Sequence, residues 1–178
     1  MKMKMNKILI FTLIVQLFFI GSAQAKCDLE SLKFGLSHKA LMSKLKLGEE
    51  FLGPEINEIP EYFVSISGQE LCKNEEVFER ASVHFTFIYD KLLEIQIRSF
   101  SESASLVDWA VSIYGEKENK PTSFYDVKPN AQWLWDKPNK VIAYSIKPDI
   151  GGVFESIIIQ SRNHDDDFLK LADELEGK

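Results

Sequence analysis

The sequence predicts an α+β fold: an antiparallel sheet built from two tandem helix–strand–strand–strand units with a C-terminal helix, the helices on one sheet face. Three observations carry that prediction. Residues 81–99 read ASVHFTFIYDKLLEIQIRS: Val83, Phe85, Phe87 and Tyr89 alternate with Ser82, His84, Thr86 and Ile88, and Leu93, Ile95 and Ile97 alternate with Glu94, Gln96 and Arg98. A period of two, with one apolar and one mostly polar face, marks antiparallel strands lying on a core. Stripes with helical spacing lie before, between and after the β-rich runs, so helices and strands each form a layer. The order of elements also recurs. Gly48 and Gly115, which close the first two helices, lie 67 residues apart, suggesting a duplicated unit over 31–100 and 101–162.

The first helix is predicted over 38–47. Ser37 is a good N-cap, Leu36 can staple onto Leu41, and Gly48 suits the left-handed position that ends a helix. Leu41 and Leu45 share its buried face, while His38 and Lys39 oppose the helix dipole. A connector with Gly53-Pro54 and Pro60 leads to a short strand at 62–67, then a polar, irregular stretch around Cys72. Parity constrains the hairpin that follows. A two-residue loop at Asp90-Lys91 would set Tyr89 against Leu92 and Phe87 against Glu94, so an odd loop or a bulge is required.

The second helix opens with Ser105 and Asp108 as a capping box, and Leu106, Ala110 and Ile113 form its stripe. Strands are predicted at 131–135, 141–146 and 153–160, separated by Asp136-Lys137-Pro138-Asn139 and by the turn at 148–152. The last helix begins at Asp165-Asp166-Asp167, acids that suit its positive end. Phe168, Leu171, Ala172 and Leu175 are its expected buried stripe.

Phe34-Gly35-Leu36-Ser37 before a short helix resembles the "F-G-M-S/T, then helix" opening of small exported bacterial proteins with the β-lactamase-inhibitor-protein-like fold. The small lipoproteins of the outer-membrane β-barrel assembly machinery share that unit. Tyr114-Gly115-Glu116 resembles the glycine that ends such a helix before the strands. The resemblance covers the order of elements over most of residues 26–178, with a few residues of direct sequence support. The chain departs from the pattern in lacking a lipid-anchored cysteine, in Leu36 for methionine, and in Ala40 where an acid is usual. The resemblance implies a curved sheet that binds another protein, and transfers no catalytic residue.

The first 25 residues are read as a signal peptide cleaved after Ala25. Lys2, Lys4 and Lys7 form a basic start, residues 8–20 are almost wholly apolar, and Ala23-Gln24-Ala25 is a small-x-small cleavage sequence. An apolar run of about 13 residues falls short of the ~20 that span a bilayer, so no stable anchor is expected after cleavage. Lys26 separates the small residues from Cys27, against the lipoprotein pattern. The expectation is a periplasmic or secreted protein, with residues 26–178 forming one domain. Without the three lysines of the signal it has 18 basic and 27 acidic residues, a net charge of −9. An acidic surface with no basic stripe argues against nucleic acid and anionic lipid as partners. Cys27 and Cys72 are an even pair in an oxidising compartment, read as a disulfide contributing at most about 4 kcal/mol by chain entropy.

No catalytic motif emerges, and neither a cofactor nor a metal is expected. His38, His84 and His164 fall at no metal-ligand spacing, and the acids after His164 read as a helix start. Gly35-Leu36-Ser37-His38-Lys39 lacks the second glycine of a nucleophile elbow. Glu94 and Glu155 are the candidates for an acid/base pair. The aromatics are more suggestive. Trp133 and Trp135 share one strand face, Tyr144 alternates with Ile142 and Ile146, and both faces of the second half carry apolar residues. Trp133, Trp135 and Tyr144 are therefore the expected binding surface, with core packing under the last helix as the competing reading. The functional expectation is a non-enzymatic protein-binding or inhibitor-like domain whose partner is another envelope protein. A small periplasmic hydrolase with dispersed catalytic residues and an accessory factor of envelope assembly are the alternatives.

Overall fold

Six antiparallel strands form one sheet in the order β1-β2-β3-β6-β5-β4, so two three-stranded units meet edge to edge through β3 and β6. The computed structural model describes residues 29–47, 60–102, 105–116 and 131–177. The expected signal peptide, Cys27, Gly48 and the Pro-containing segments after both early helices lie outside these residues. Among the described residues the elements are α1 (His38–Leu45), β1 (Glu61–Ser67), α2 (Gly68–Leu71), β2 (Ala81–Ile88), β3 (Lys91–Ser101), α3 (Leu106–Tyr114), β4 (Ala131–Lys137), β5 (Lys140–Asp149), β6 (Gly152–Ser161) and α4 (Asp165–Glu176). The mixed α+β class with a C-terminal helix is as the sequence predicts.

The hairpin obeys the parity rule through a bulge. Tyr89 and Asp90 form the turn, both with positive φ (50° and 58°), and Ile88 pairs with Lys91. The register then shifts at Leu93, so that Phe87 faces Leu92 and Thr86 faces Glu94. The extra residue keeps Phe85, Phe87, Ile95 and Ile97 on one face. Asp90 tolerates its left-handed conformation because a short polar side chain can bond locally.

The polar stretch after β1 is more ordered than its composition suggests. It holds the single turn α2 and a 3-10 turn, Glu76–Phe78, that drives Phe78 fully into the core. Gly68 makes this packing fit. A Cβ there would stand 2.5 Å from the Phe78 carbonyl oxygen and 2.9 Å from that of Ala81.

Helices α1 and α3 cover one face of the sheet. Leu41 and Met42 from α1, and Leu106, Val107, Trp109 and Ala110 from α3, join the inward strand residues in one core. Ser37 caps α1, accepting the Ala40 N–H at 3.3 Å. The helix stops at Leu45, earlier than expected, and Lys46 takes the left-handed position at its end (φ 56°). Gly115 closes α3 as expected, with φ 100°. The predicted capping box of α3 does not form, since the Ser105 side chain makes no cap bond. Its place is taken by Glu155 of β6.

The C-terminal helix has a smaller seat. Leu171 is buried against Ile88 and Leu93, with Phe168 and Tyr89 alongside, in a cluster separate from the main core. Lys91 Nζ lies 2.9 Å from Asp167, and Lys170 Nζ sits 4.0 Å above the Tyr89 ring. Ala172 and Leu175, expected in the buried stripe, are exposed, while Leu171 packs against the hairpin end.

In the second unit, β5 and β6 run longer than predicted and turn tightly through Ile150-Gly151, with Gly151 at φ 83°. Pro148 lies within β5 opposite Val153, two residues beyond the Ala131–Ile146 pair at which the described part of β4 begins.

Candidate functional site on the open sheet face

Strand parity decides where the expected aromatic site goes. Trp133 and Trp135 on β4 pair with Tyr144 and Ile142 on β5, all facing the helix layer. Trp135 is 4% exposed and Tyr144 fully buried, so neither can meet a partner from the folded protein. Trp135 donates its Nε1–H to the Gly115 carbonyl at 2.9 Å, and its ring lies 5.7 Å from that of Tyr114. Trp133 is half-buried, 5.3 Å from the Tyr144 ring. The cover comes from α3, not from Phe168 and Leu171 of α4. Trp135 and Tyr144 are core, with Trp133 packed against them, and the binding-surface expectation is corrected for Trp135 and Tyr144.

Glu155 is fully buried on the same face. Its carboxylate accepts the N–H groups of Ser105 (2.9 Å), Leu106 (3.3 Å) and Val107 (3.2 Å), and the Tyr144 hydroxyl donates to it at 2.8 Å. A carboxylate at the positive end of a helix satisfies donors that otherwise have no partner. Burial and the adjacent Glu155 charge push the Tyr144 phenol well above its ordinary value. Glu94 projects from the opposite face, paired with Thr86 and with Gln160 rather than with the Glu155 row. Glu94 and Glu155 therefore do not form an acid/base pair.

The remaining candidates disperse. His38 is buried against Tyr62 and Phe87 at ring separations of 5.7 and 5.1 Å, and its backbone N–H donates to Asp90 at 3.0 Å. His164 contacts Ser161 Oγ through Nδ1 at 2.8 Å. Among the described residues, no group of three or more histidines, cysteines or acids is placed to hold a metal ion. Cys72 is buried, and no cysteine among the described residues is free; its expected partner Cys27 lies outside them.

Among the described residues, the other face of the sheet is covered only at the hairpin end, where α4 packs on Ile88 and Leu93. Successive rows cross it: Phe63, Thr86, Glu94, Gln160 and Val141, then Ser65, His84, Gln96, Ile158, Ala143 and Leu134. Phe63 is 68% exposed and Leu134 57%, with Phe100 and Phe154 exposed at the far end. A cleft of about 510 Å³ lies over the first unit, lined by residues that include Phe63, His84, Gln96 and Arg98. Side chains tie this surface together. Thr86 donates to Glu94 at 3.4 Å, Arg98 to Gln96 at 2.6 Å and Gln96 to Ser156 at 3.3 Å, while Phe63 meets the His84 ring edge-on at 5.8 Å. Burial, then the Arg98 charge, holds the His84 imidazole below its ordinary value. Burial, with Glu61 adding to it against the pull of Thr86 and Arg98, raises the Glu94 carboxyl.

Ser82 Oγ lies 3.0 Å from His84 Nε2, a contact that would suit a nucleophile and its base. Both sit within β2, which pairs with β1 on one side and β3 on the other, so its N–H groups are committed to the ladder.

The sequence reading missed this surface because it followed the bulkiest residues. In the second half both parities are apolar, and only the position of α3 distinguishes the covered one. The signal that could have found it was the run of polar outward residues His84, Thr86, Glu94, Gln96 and Arg98 beside exposed aromatics. No protein-family model, no curated protein and no solved structure matches this chain.

Proposed function

We propose that this protein is an exported, non-enzymatic protein-binding or inhibitor-like domain that meets another envelope protein through the open sheet face around Phe63, His84 and Arg98. The observation that carries the reading is that the exposed Phe63 and the hydrogen-bonded Arg98 line one cleft, on a sheet face whose centre no helix covers among the described residues. Aromatic and arginine side chains on a preorganised surface are the common anchors of protein interfaces. Export rests on the reading of residues 1–25 as a signal peptide, and it brings the Cys27–Cys72 disulfide with it. The burial of Cys72 supports that bond. Peptide mapping without reductant should recover one linked pair, and two free thiols in freshly isolated protein would remove it.

A photoreactive residue in place of Phe63, with Lys39 on α1 as the control position, tests the binding face in envelope extract. The expected result is a discrete adduct from position 63, lost on Arg98→Glu at an unchanged thermal midpoint. Equal labelling from both positions, or none, overturns the proposal. The Ser82···His84 contact keeps a hydrolase as the second reading. Covalent capture of Ser82 by a fluorophosphonate probe, abolished by His84→Ala, would favour it over the binding domain.

A further inference from the structure

Parity sets α4 apart from the other helices. Helices α1 and α3 pack into the main core, whereas α4 lies on the outer face of the sheet. Ile88 follows Ser82, His84 and Thr86 on the outward row of β2, and the bulge brings Leu93 to the same side. Both are fully buried, yet they belong to the small cluster under Leu171 and not to the main core. Two residues back from Ile88, Thr86 pairs with Phe63 on one side and Glu94 on the other. The patch beneath α4 therefore continues directly into the open face.

Few groups hold α4 there. Leu171 alone of its twelve residues is buried, with Phe168 partly buried beside it. Asp167 meets the Lys91 ammonium with both carboxylate oxygens, at 2.9 and 3.0 Å. That pair stays open to water (side chains 45% exposed for Lys91, 17% for Asp167), where an ion pair contributes little. Lys170 Nζ adds a contact 4.0 Å from the centre of the Tyr89 ring. Among the described residues, backbone hydrogen bonds tie α4 to its own first turn at His164 and not to the sheet. A helix seated by so small a burial opens at far lower cost than the sheet unfolds.

The same contacts define what the seat accepts. Over five residues α4 presents an acid (Asp167), an aromatic ring (Phe168), a cation (Lys170) and a leucine (Leu171). The sheet meets them with a lysine ammonium, the aliphatic pair Ile88 and Leu93, and the face of Tyr89. Positions i, i+1, i+3 and i+4 lie on one side of a helix, the arrangement by which amphipathic helices dock on apolar seats. We propose that Ile88, Tyr89, Lys91 and Leu93 form a docking site for an amphipathic helix of a partner protein, with α4 as its resident occupant. A partner helix with the same acid, aromatic, cation and leucine face displaces α4 and adds Ile88 and Leu93 to the surface around Phe63. That extension rests on the open-face reading.

The test uses the full chain, with a synthetic peptide of residues 164–177 as the probe and amide NMR shifts as the readout. Leu171→Asp undocks the resident helix and leaves the residues of the seat unchanged. On that variant the peptide should saturate at about millimolar concentration or below, since a helix tethered by a short turn competes at roughly that effective concentration. The shifts should fall at Ile88, Lys91 and Leu93. On the native chain the same peptide should bind about tenfold more weakly or worse, because α4 fills the seat. Lys91→Glu in the variant should weaken the peptide about fivefold or more, and a peptide carrying Asp167→Lys should recover the loss. Asp167→Lys in the chain serves to undock α4 if Leu171→Asp fails to fold. Native-state hydrogen exchange should find the α4 amides exchanging about a hundredfold faster or more than those of α3. No saturation, equal binding to both proteins, binding indifferent to Lys91→Glu, or α4 amides as protected as those of α3 would each overturn the seat. A saturating peptide with no adduct from position 63 would remove the open-face reading and leave the seat standing, so the two failures are distinct.

Discussion

The two halves of the sheet seat their helices on the same kind of clasp, at different depths. In the first half, Asp90 in the β2–β3 turn accepts the His38 N–H at the start of α1 and the Tyr62 hydroxyl at 3.1 Å. In the second, Glu155 within β6 accepts three N–H groups at the start of α3 and the Tyr144 hydroxyl. Each clasp joins a carboxylate, a helix N-terminus and a tyrosine from a neighbouring strand. Asp90 is only half-buried and works alongside Ser37, which caps α1 itself. Glu155 is sealed in the core and is the cap of α3, whose own Ser105 makes no cap bond. An exposed clasp loses little when broken, because water replaces the partner. A buried one leaves several donors unmet.

The largest effects should test whether both halves share one core. Trp135→Ala and Phe85→Ala should each lower stability by about 3–5 kcal/mol in denaturant melts, against well under 1 kcal/mol for the outward Thr86→Ala. A small loss at Trp135 would return that residue to the surface. Glu155→Ala should cost about 3 kcal/mol or more, since two of the N–H groups it leaves behind are buried, whereas Asp90→Asn should cost about 1 kcal/mol. Equal losses at the two carboxylates would break the distinction between a buried and a peripheral clasp. Tyr144→Phe and Tyr62→Phe repeat the comparison on a finer scale, about 1–2 kcal/mol against 1 kcal/mol or less.

The smallest effect concerns the outer face and has a sign set by pH. The raised Glu94 carboxyl means that its charged form is disfavoured in the folded state, chiefly by burial. A carboxyl easier to ionise unfolded than folded costs stability above its ordinary range, and that cost vanishes as pH falls below it. Glu94→Gln should therefore raise the thermal midpoint slightly at pH 7 and leave it unchanged near pH 3. A gain that persists at low pH would assign the effect to the amide's own contacts rather than to charge. His84 runs the other way. Its lowered imidazole makes protonation costly to the fold, so stability contributed by neutral His84 is lost as pH falls through its ordinary range.

Local pattern alone determined much of this protein. Alternation at 81–99 located the hairpin and required its bulge, Ser37 marked the start of α1, Gly115 marked the end of α3, and the order of elements defined the α+β class. Each of these depends on neighbours within a few residues, where periodicity, capping and turn chemistry act. Tertiary structure alone decided the rest. Whether Trp135 or Leu134 would be hidden depended on which side α3 settled, because both parities of β4 and β5 are apolar. That Glu155 caps α3 could not be read locally, since it lies about 50 residues beyond the N–H groups it receives. Helix α4 buries Leu171 but not Leu175 because its partners Ile88 and Leu93 lie at the hairpin end. Sequence spacing shows which residues share a face, but only the assembled sheet shows what that face meets.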